Sequence, residues 1–93
     1  MDNQEARELL REHLSPWRNR TYAELAKAIG ESHEFAVTSR TGRSYQVDIQ
    51  VFWDHRTGGN IRVIGAIDDG GLRAFMPLAD SFIVSPDGTF VGE

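Results

Sequence analysis

Residues 45–53 read Tyr45-Gln46-Val47-Asp48-Ile49-Gln50-Val51-Phe52-Trp53. Tyr45, Val47, Ile49, Val51 and Trp53 hold the odd positions, while Gln46, Asp48 and Gln50 hold even ones. Successive side chains of a strand point to opposite faces, so this period of two predicts a half-buried strand with its odd residues on a core. The same parity extends outward. Phe35 and Val37 begin an earlier strand across Arg40-Thr41-Gly42-Arg43, and Ile61, Val63 and Ile67 continue beyond the turn at 54–60. Asp68-Asp69-Gly70-Gly71 signals another turn, followed by a strand over 72–76. Phe82-Ile83-Val84 then precede Ser85-Pro86-Asp87-Gly88, a turn with Pro preset and Gly free at positive φ, and Thr89-Phe90-Val91 supplies a short final strand.

Turns about ten residues apart favour an antiparallel meander over crossover connections. A slip of one residue would exchange the faces, so odd residues are expected opposite odd ones, with Val37 against Val47 and Phe35 against Ile49. Successive turns alternate between the sheet's ends. That places Arg40, Arg43, Asp68, Asp69 and Asp87 at one end, and His55, Arg56 and Met76-Pro77-Leu78 at the other.

Before residue 31 the apolar period is helical. Ala6, Leu9, Leu10, His13 and Leu14 make a stripe on a helix capped by Asp2 or Asn3, which Ser15-Pro16 is expected to end near Leu14. A second helix opens with the capping box Thr21-Tyr22-Ala23-Glu24, presents Tyr22, Leu25, Ala26 and Ile29, and stops at Gly30. The fold class expected is α+β in two layers: two N-terminal helices packed on one face of a four- to five-stranded antiparallel meander sheet. Residues 1–93 form a single domain, with a helical hairpin over 1–30 and the sheet over 31–93.

With 93 residues, a single domain is expected rather than a two-domain enzyme with a cleft between lobes. With 40% hydrophobic, 10% aromatic and 26% charged residues the composition is that of a globular protein. There is no Cys, so disulfides, thiolate nucleophiles and Cys-rich zinc sites are excluded together. The first residues are charged and carry no apolar stretch, so no signal peptide is expected. The most apolar run, 61–67, is far short of the roughly 20 residues of a membrane span. No membrane partner is expected, and a cytoplasmic location is.

The net charge of −4 argues against nucleic acid as the main partner, because phosphate neutralisation needs a basic excess. Thr21-Tyr22-Ala23-Glu24-Leu25-Ala26-Lys27-Ala28-Ile29-Gly30 resembles the first helix of helix-turn-helix domains. The resemblance covers ten residues and implies a recognition helix around His33 to Ser39, where Phe35, Val37 and Thr38 favour a strand instead. Arg40 and Arg43 at the tip of a hairpin would be the DNA contacts of a winged-helix-like binder.

No catalytic set assembles from sequence. His13, His33 and His55 share no ligand spacing, and neither Gly58-Gly59 nor Gly70-Gly71 matches a phosphate-binding loop. Asp68, Asp69 and Asp87 lack the alternate spacing of a calcium loop and read as turn residues. No catalytic residue, metal site or cofactor is expected. The unusual feature is apolar residues on the outward, even-numbered side: Phe52, Ile64 and Ala66, beside Gln50 and Arg62. An apolar patch on a polar face predicts an interface. Phe52, Ile64, Gln50 and Arg62 are therefore the expected contact residues of a small interaction domain that pairs with itself or docks another protein. The alternative is a small-molecule site or small enzyme with a pocket between helices and sheet, lined by Trp17, Tyr22, Tyr45 and Trp53.

Overall fold

The computed structural model describes residues 1–71 and 77–92. Helix α1 spans Asn3–Arg18 and α2 spans Tyr22–Lys27, followed by strands β1 Ser32–Thr38, β2 Ser44–Trp53, β3 Ile61–Asp68 and β4 Leu78–Val84. The strands form one antiparallel sheet in the order β1-β2-β3-β4. The α+β class and the meander are as the sequence implies.

Helix α1 starts as expected, with the Asp2 carboxylate accepting from the Glu5 N–H at 3.1 Å. It does not end at Leu14; it runs through Pro16 to Arg18. Proline removes the N–H that would bond the Glu12 carbonyl, but Glu12 is exposed and water can serve that carbonyl. The extra turn puts Trp17 in the core at 6% exposure. Its ring meets His33 edge-on at 5.0 Å, and the Arg20 guanidinium lies 3.7 Å from the ring centre. Tertiary burial of a tryptophan outweighs one lost helical hydrogen bond.

Helix α2 has the full capping box, with Thr21 N–H donating to Glu24 Oε1 at 2.9 Å and Glu24 N–H to Thr21 Oγ1 at 3.1 Å. At six residues it is shorter than expected, and Ala28, Ile29 and Gly30 form a turn. The Gly30 N–H bonds the Val51 carbonyl of β2 at 3.0 Å, so the sheet captures the backbone there. The segment a helix-turn-helix recognition helix would occupy is strand β1.

Parity holds in β2 and β3, where Tyr45, Val47, Ile49, Val51, Ile61, Val63 and Ile67 are buried. The β1–β2 register differs by two residues from expectation: Phe35 faces Val47 and Val37 faces Tyr45. The cause is a three-residue loop, Arg40-Thr41-Gly42, closed by Ser39 N–H to the Arg43 carbonyl at 2.8 Å. Gly42 takes φ +85°, the left-handed position such a loop demands.

In β4 parity reverses. Ile61 pairs Val84 and Val63 pairs Phe82, so even residues face the core and Ile83 faces outward. An even number of residues separates the paired Ile67 and Leu78, and an even-length connection exchanges the faces. The strand expected over 72–76 lies outside the described residues. Because β4 pairs directly with β3, Asp87 follows Val84 at the Ile61 end, opposite Asp68 and Asp69; these three aspartates do not share a sheet end. No fifth strand forms among the described residues. The tail makes one bridge, Val84 with Phe90, and the Val91 N–H bonds the Ile83 carbonyl at 2.9 Å.

Leu10 and Leu14 of α1 cross the sheet at Gly65 of β3, where there is no room for a side chain. Contacts of α1 concentrate on β3 and β4 and reach β2. The far strand, β1, keeps His33, Phe35 and Val37 only half-buried. The body measures 40 × 21 × 21 Å with a radius of gyration of 13.8 Å, longer than the roughly 12 Å of a compact chain of this length. No described helix is long and apolar enough to cross a membrane.

Candidate functional site

Two surfaces stand out: the sheet face turned away from α1, and a groove between α1 and β1. The sheet face carries the even residues of β1 to β3 and the odd residues of β4. Register places Phe52 beside Arg62, Arg62 beside Ile83, and Ile64 between Gln50 and Ser81. Ala66 and Ala79 are the next cross-strand pair. Phe52 is 36% exposed, and Ile64 and Ile83 are half-buried. Ile64 is thus the diagonal neighbour of both Phe52 and Ile83, and the three make an apolar cluster around Arg62.

Polar groups frame it. Arg62 Nε and Nη2 both donate to Asp54 Oδ1 at 2.9 Å, with the Asp54 side chain only 8% exposed, so Arg62, which stands between Phe52 and Ile83, is pinned to Asp54. Gln50 Nε2 donates to Asp48 Oδ2 at 3.1 Å, and Ser32 Oγ donates to Asp48 Oδ1 at 3.2 Å. Glu34 lies directly across from Asp48, and Asp68 stands on the same face. Like charges in register oppose pairing, a cost the fold accepts on this face.

The expected contact residues Phe52, Ile64, Gln50 and Arg62 are thus gathered on one face. The tail does not cover them: Phe90 packs edge-on against Phe82, on the core side, at 5.8 Å, with the Arg18 guanidinium over both rings. Ile83 escaped the sequence reading because its odd number implied the core side. Phe82-Ile83-Val84 is apolar throughout and carries no parity signal of its own.

The four aromatics are not brought round one cavity. Tyr45 and Trp53 are eight residues apart on β2, a separation of about 26 Å along a strand. The buried Tyr45 hydroxyl donates to Glu5 Oε1 at 3.3 Å, and the Tyr22 hydroxyl donates to the Gly59 carbonyl at 2.7 Å. Trp17 sits against His33, and Trp53 packs at the margin of the core.

The groove lies elsewhere, about 610 Å³ in volume, and none of those four lines it. Leu9, His13 and Val37 contribute to its walls, with Glu5, Glu8 and Glu12 along α1. The acidic residues follow Asp2 at helical spacing, a signal readable in the sequence but overlooked beside the apolar stripe. Thr41 Oγ1 donates to both Glu5 oxygens, at 2.9 and 3.1 Å, tying the β1–β2 hairpin to the start of α1. The hydroxyls of Ser39, Thr41 and Tyr45 hold the Glu5 carboxyl below the usual carboxylate range, against partial desolvation. Burial, followed by the Glu5 charge, pushes the Tyr45 hydroxyl up. His13 Nδ1 lies 2.7 Å from the Leu9 carbonyl, and its ring is 5.1 Å from Phe35. Among the described residues no group of three His, Asp or Glu is placed to hold a metal ion.

Compared with protein-family models, with curated proteins and with solved structures, this chain finds no match.

Proposed function

We propose that this chain is a small non-enzymatic protein-interaction domain, cytoplasmic, in which the helices form one layer, the sheet the other, and the open sheet face is the docking surface. The observation that carries this reading is the cluster of Phe52, Ile64 and Ile83 around Arg62, neighbours by register on a face that neither α1 nor the tail covers. The occupant is a different protein with an apolar centre and a basic rim. Glu34, Asp48 and Asp68 would repel their own copies across a face-to-face pair, whereas a basic group would relieve the opposed Glu34 and Asp48. In the groove, Glu5 accepts from the Thr41 and Tyr45 hydroxyls, which hold its pKa down and suit an anchor for the hairpin rather than a proton donor.

The test is an amide chemical-shift titration with a synthetic amphipathic helix of leucine and lysine, set against the same helix made with glutamate. Shifts confined to Phe52, Ile64, Ala66 and Ile83, seen only with the lysine peptide and lost in Phe52→Asp, support the reading. Shifts absent from that face, or equal for both peptides, overturn it.

A further inference from the structure

The outer edge of β1 carries an inference independent of what the open face docks. β4 has its outer edge partly taken by the tail, at Val84–Phe90 and Val91–Ile83. β1 pairs only with β2 among the described residues, and its sequence, SHEFAVT, holds no Pro or Lys to discourage pairing. The Ser39–Arg43 bond sets the phase of the β1–β2 ladder: odd residues of β1 bond β2. Ser32, Glu34, Ala36 and Thr38 therefore aim their N–H and C=O groups outward. The Asp54 N–H bond to the Asn60 carbonyl, 2.8 Å, gives the same phase from the other side of β2, whose even residues bond β3.

We propose that a second copy of this chain occupies this edge, β1 pairing antiparallel with its counterpart about a two-fold axis at Phe35. Ser32 then faces the second copy's Thr38, and Glu34 its Ala36, giving about eight backbone hydrogen bonds. On the helix side Phe35 meets its own counterpart and His33 meets Val37, which closes over the three residues that β1 leaves half-buried. Moving the axis to residue 34 would set Glu34 against Glu34, and moving it to residue 36 would leave Ser32 and His33 outside the ladder. Charge is mixed at both ends: near Val37 the groove carries Glu5 and Glu8 together with Arg40, while near His33 lies Arg20, stacked on Trp17, with Glu31 accepting from the His33 ring at 3.0 Å. Antiparallel pairing about Phe35 sets Arg20 of each copy toward Glu5 and Glu8 of the other, and Glu31 toward Arg40. The interface is closed by symmetry, and the two four-stranded sheets become one of eight strands with both open faces on the same side.

Ala36→Pro tests this, because the Ala36 N–H faces outward and its loss removes no bond to β2. Sedimentation equilibrium and amide exchange are measured from micromolar to millimolar concentration. The expected wild type approaches twice 10.5 kDa, with the Glu34, Ala36 and Thr38 amides gaining protection as concentration rises. Ala36→Pro stays at the single-chain mass, while Phe52→Asp still pairs. A wild type of single-chain mass at millimolar concentration with those amides unprotected overturns the proposal. So does a dimer abolished by Phe52→Asp with the Glu34, Ala36 and Thr38 amides unprotected. If Ala36→Pro does not fold, the wild-type exchange pattern decides alone.

Discussion

Gly65 is the point where α1 and the sheet come closest, and Gly65→Ala measures how tightly they are joined. A Cβ built there lies 2.9 Å from Leu10 Cδ1 and 3.0 and 3.1 Å from the Leu14 methyls, closer than carbon atoms tolerate. The backbone at Gly65 is extended, so alanine brings no φ strain and should stabilise by about 0.4–1 kcal/mol through the unfolded chain. Against this, Leu10 and Leu14 are 2% and 1% exposed and locked among other core side chains, so their methyls cannot swing away freely. Overpacking of this kind costs about 1–3 kcal/mol. The clash wins, and the net loss is about 1 kcal/mol, or about 4–8 °C in Tm for a domain of this size. Thermal unfolding followed by circular dichroism reads it. A double-mutant cycle supplies the control. Leu14→Ala alone should cost about 2–5 kcal/mol, but less in the Gly65→Ala background, by a coupling of about 0.5–3 kcal/mol, because the truncated side chain makes room. A Gly65→Ala protein that melts higher than wild type, or costs that add independently, would refute the close approach of α1 to β3.

Pro16→Ala should stabilise the fold by about 1–2 kcal/mol, since it restores the N–H to the Glu12 carbonyl and leaves Trp17 in place, against a small gain in unfolded-chain entropy. Urea unfolding with an unchanged slope would show it; destabilisation would mean the proline sets the path of the last turn. Asp87 accepts from the Ser85 hydroxyl and from the Thr89 hydroxyl and N–H, at 2.7 and 3.0 Å for Thr89, which lowers its pKa from 3.8 to about 2. A depressed carboxylate stabilises the fold above pH 3.8 and loses that contribution as pH falls through about 2, so Asp87→Asn should flatten the acid limb of the stability curve in that window. An acid limb identical to wild type would show that the Ser85–Thr89 turn does not hold the carboxylate.

Much of the candidate site was legible because one strand betrays its faces. With Val47, Ile49 and Val51 assigned to the core, Phe52 and Gln50 had to stand on the other side, and odd parity in β3 carried Ile64 and Arg62 there too. Ile83 was not legible, since its face depends on the number of residues between paired Ile67 and Leu78. The groove beside β1 was equally hidden: it exists because α1 lies over β3 and β4 rather than centrally.

By itself the sequence determined whatever nearest neighbours enforce: the Asp2 and Thr21 caps, the alternation of β2 and β3, and the antiparallel order of strands joined by short turns. Those features depend on dihedral preferences and hydrogen bonds spanning a few residues. The tertiary structure alone decided that α1 passes through Pro16, that β4 turns its even side inward, and that position 65 favours glycine. Each of these is a balance between a local preference and a burial or contact made by residues far apart in the chain. Such a balance is struck only when the helix meets the sheet.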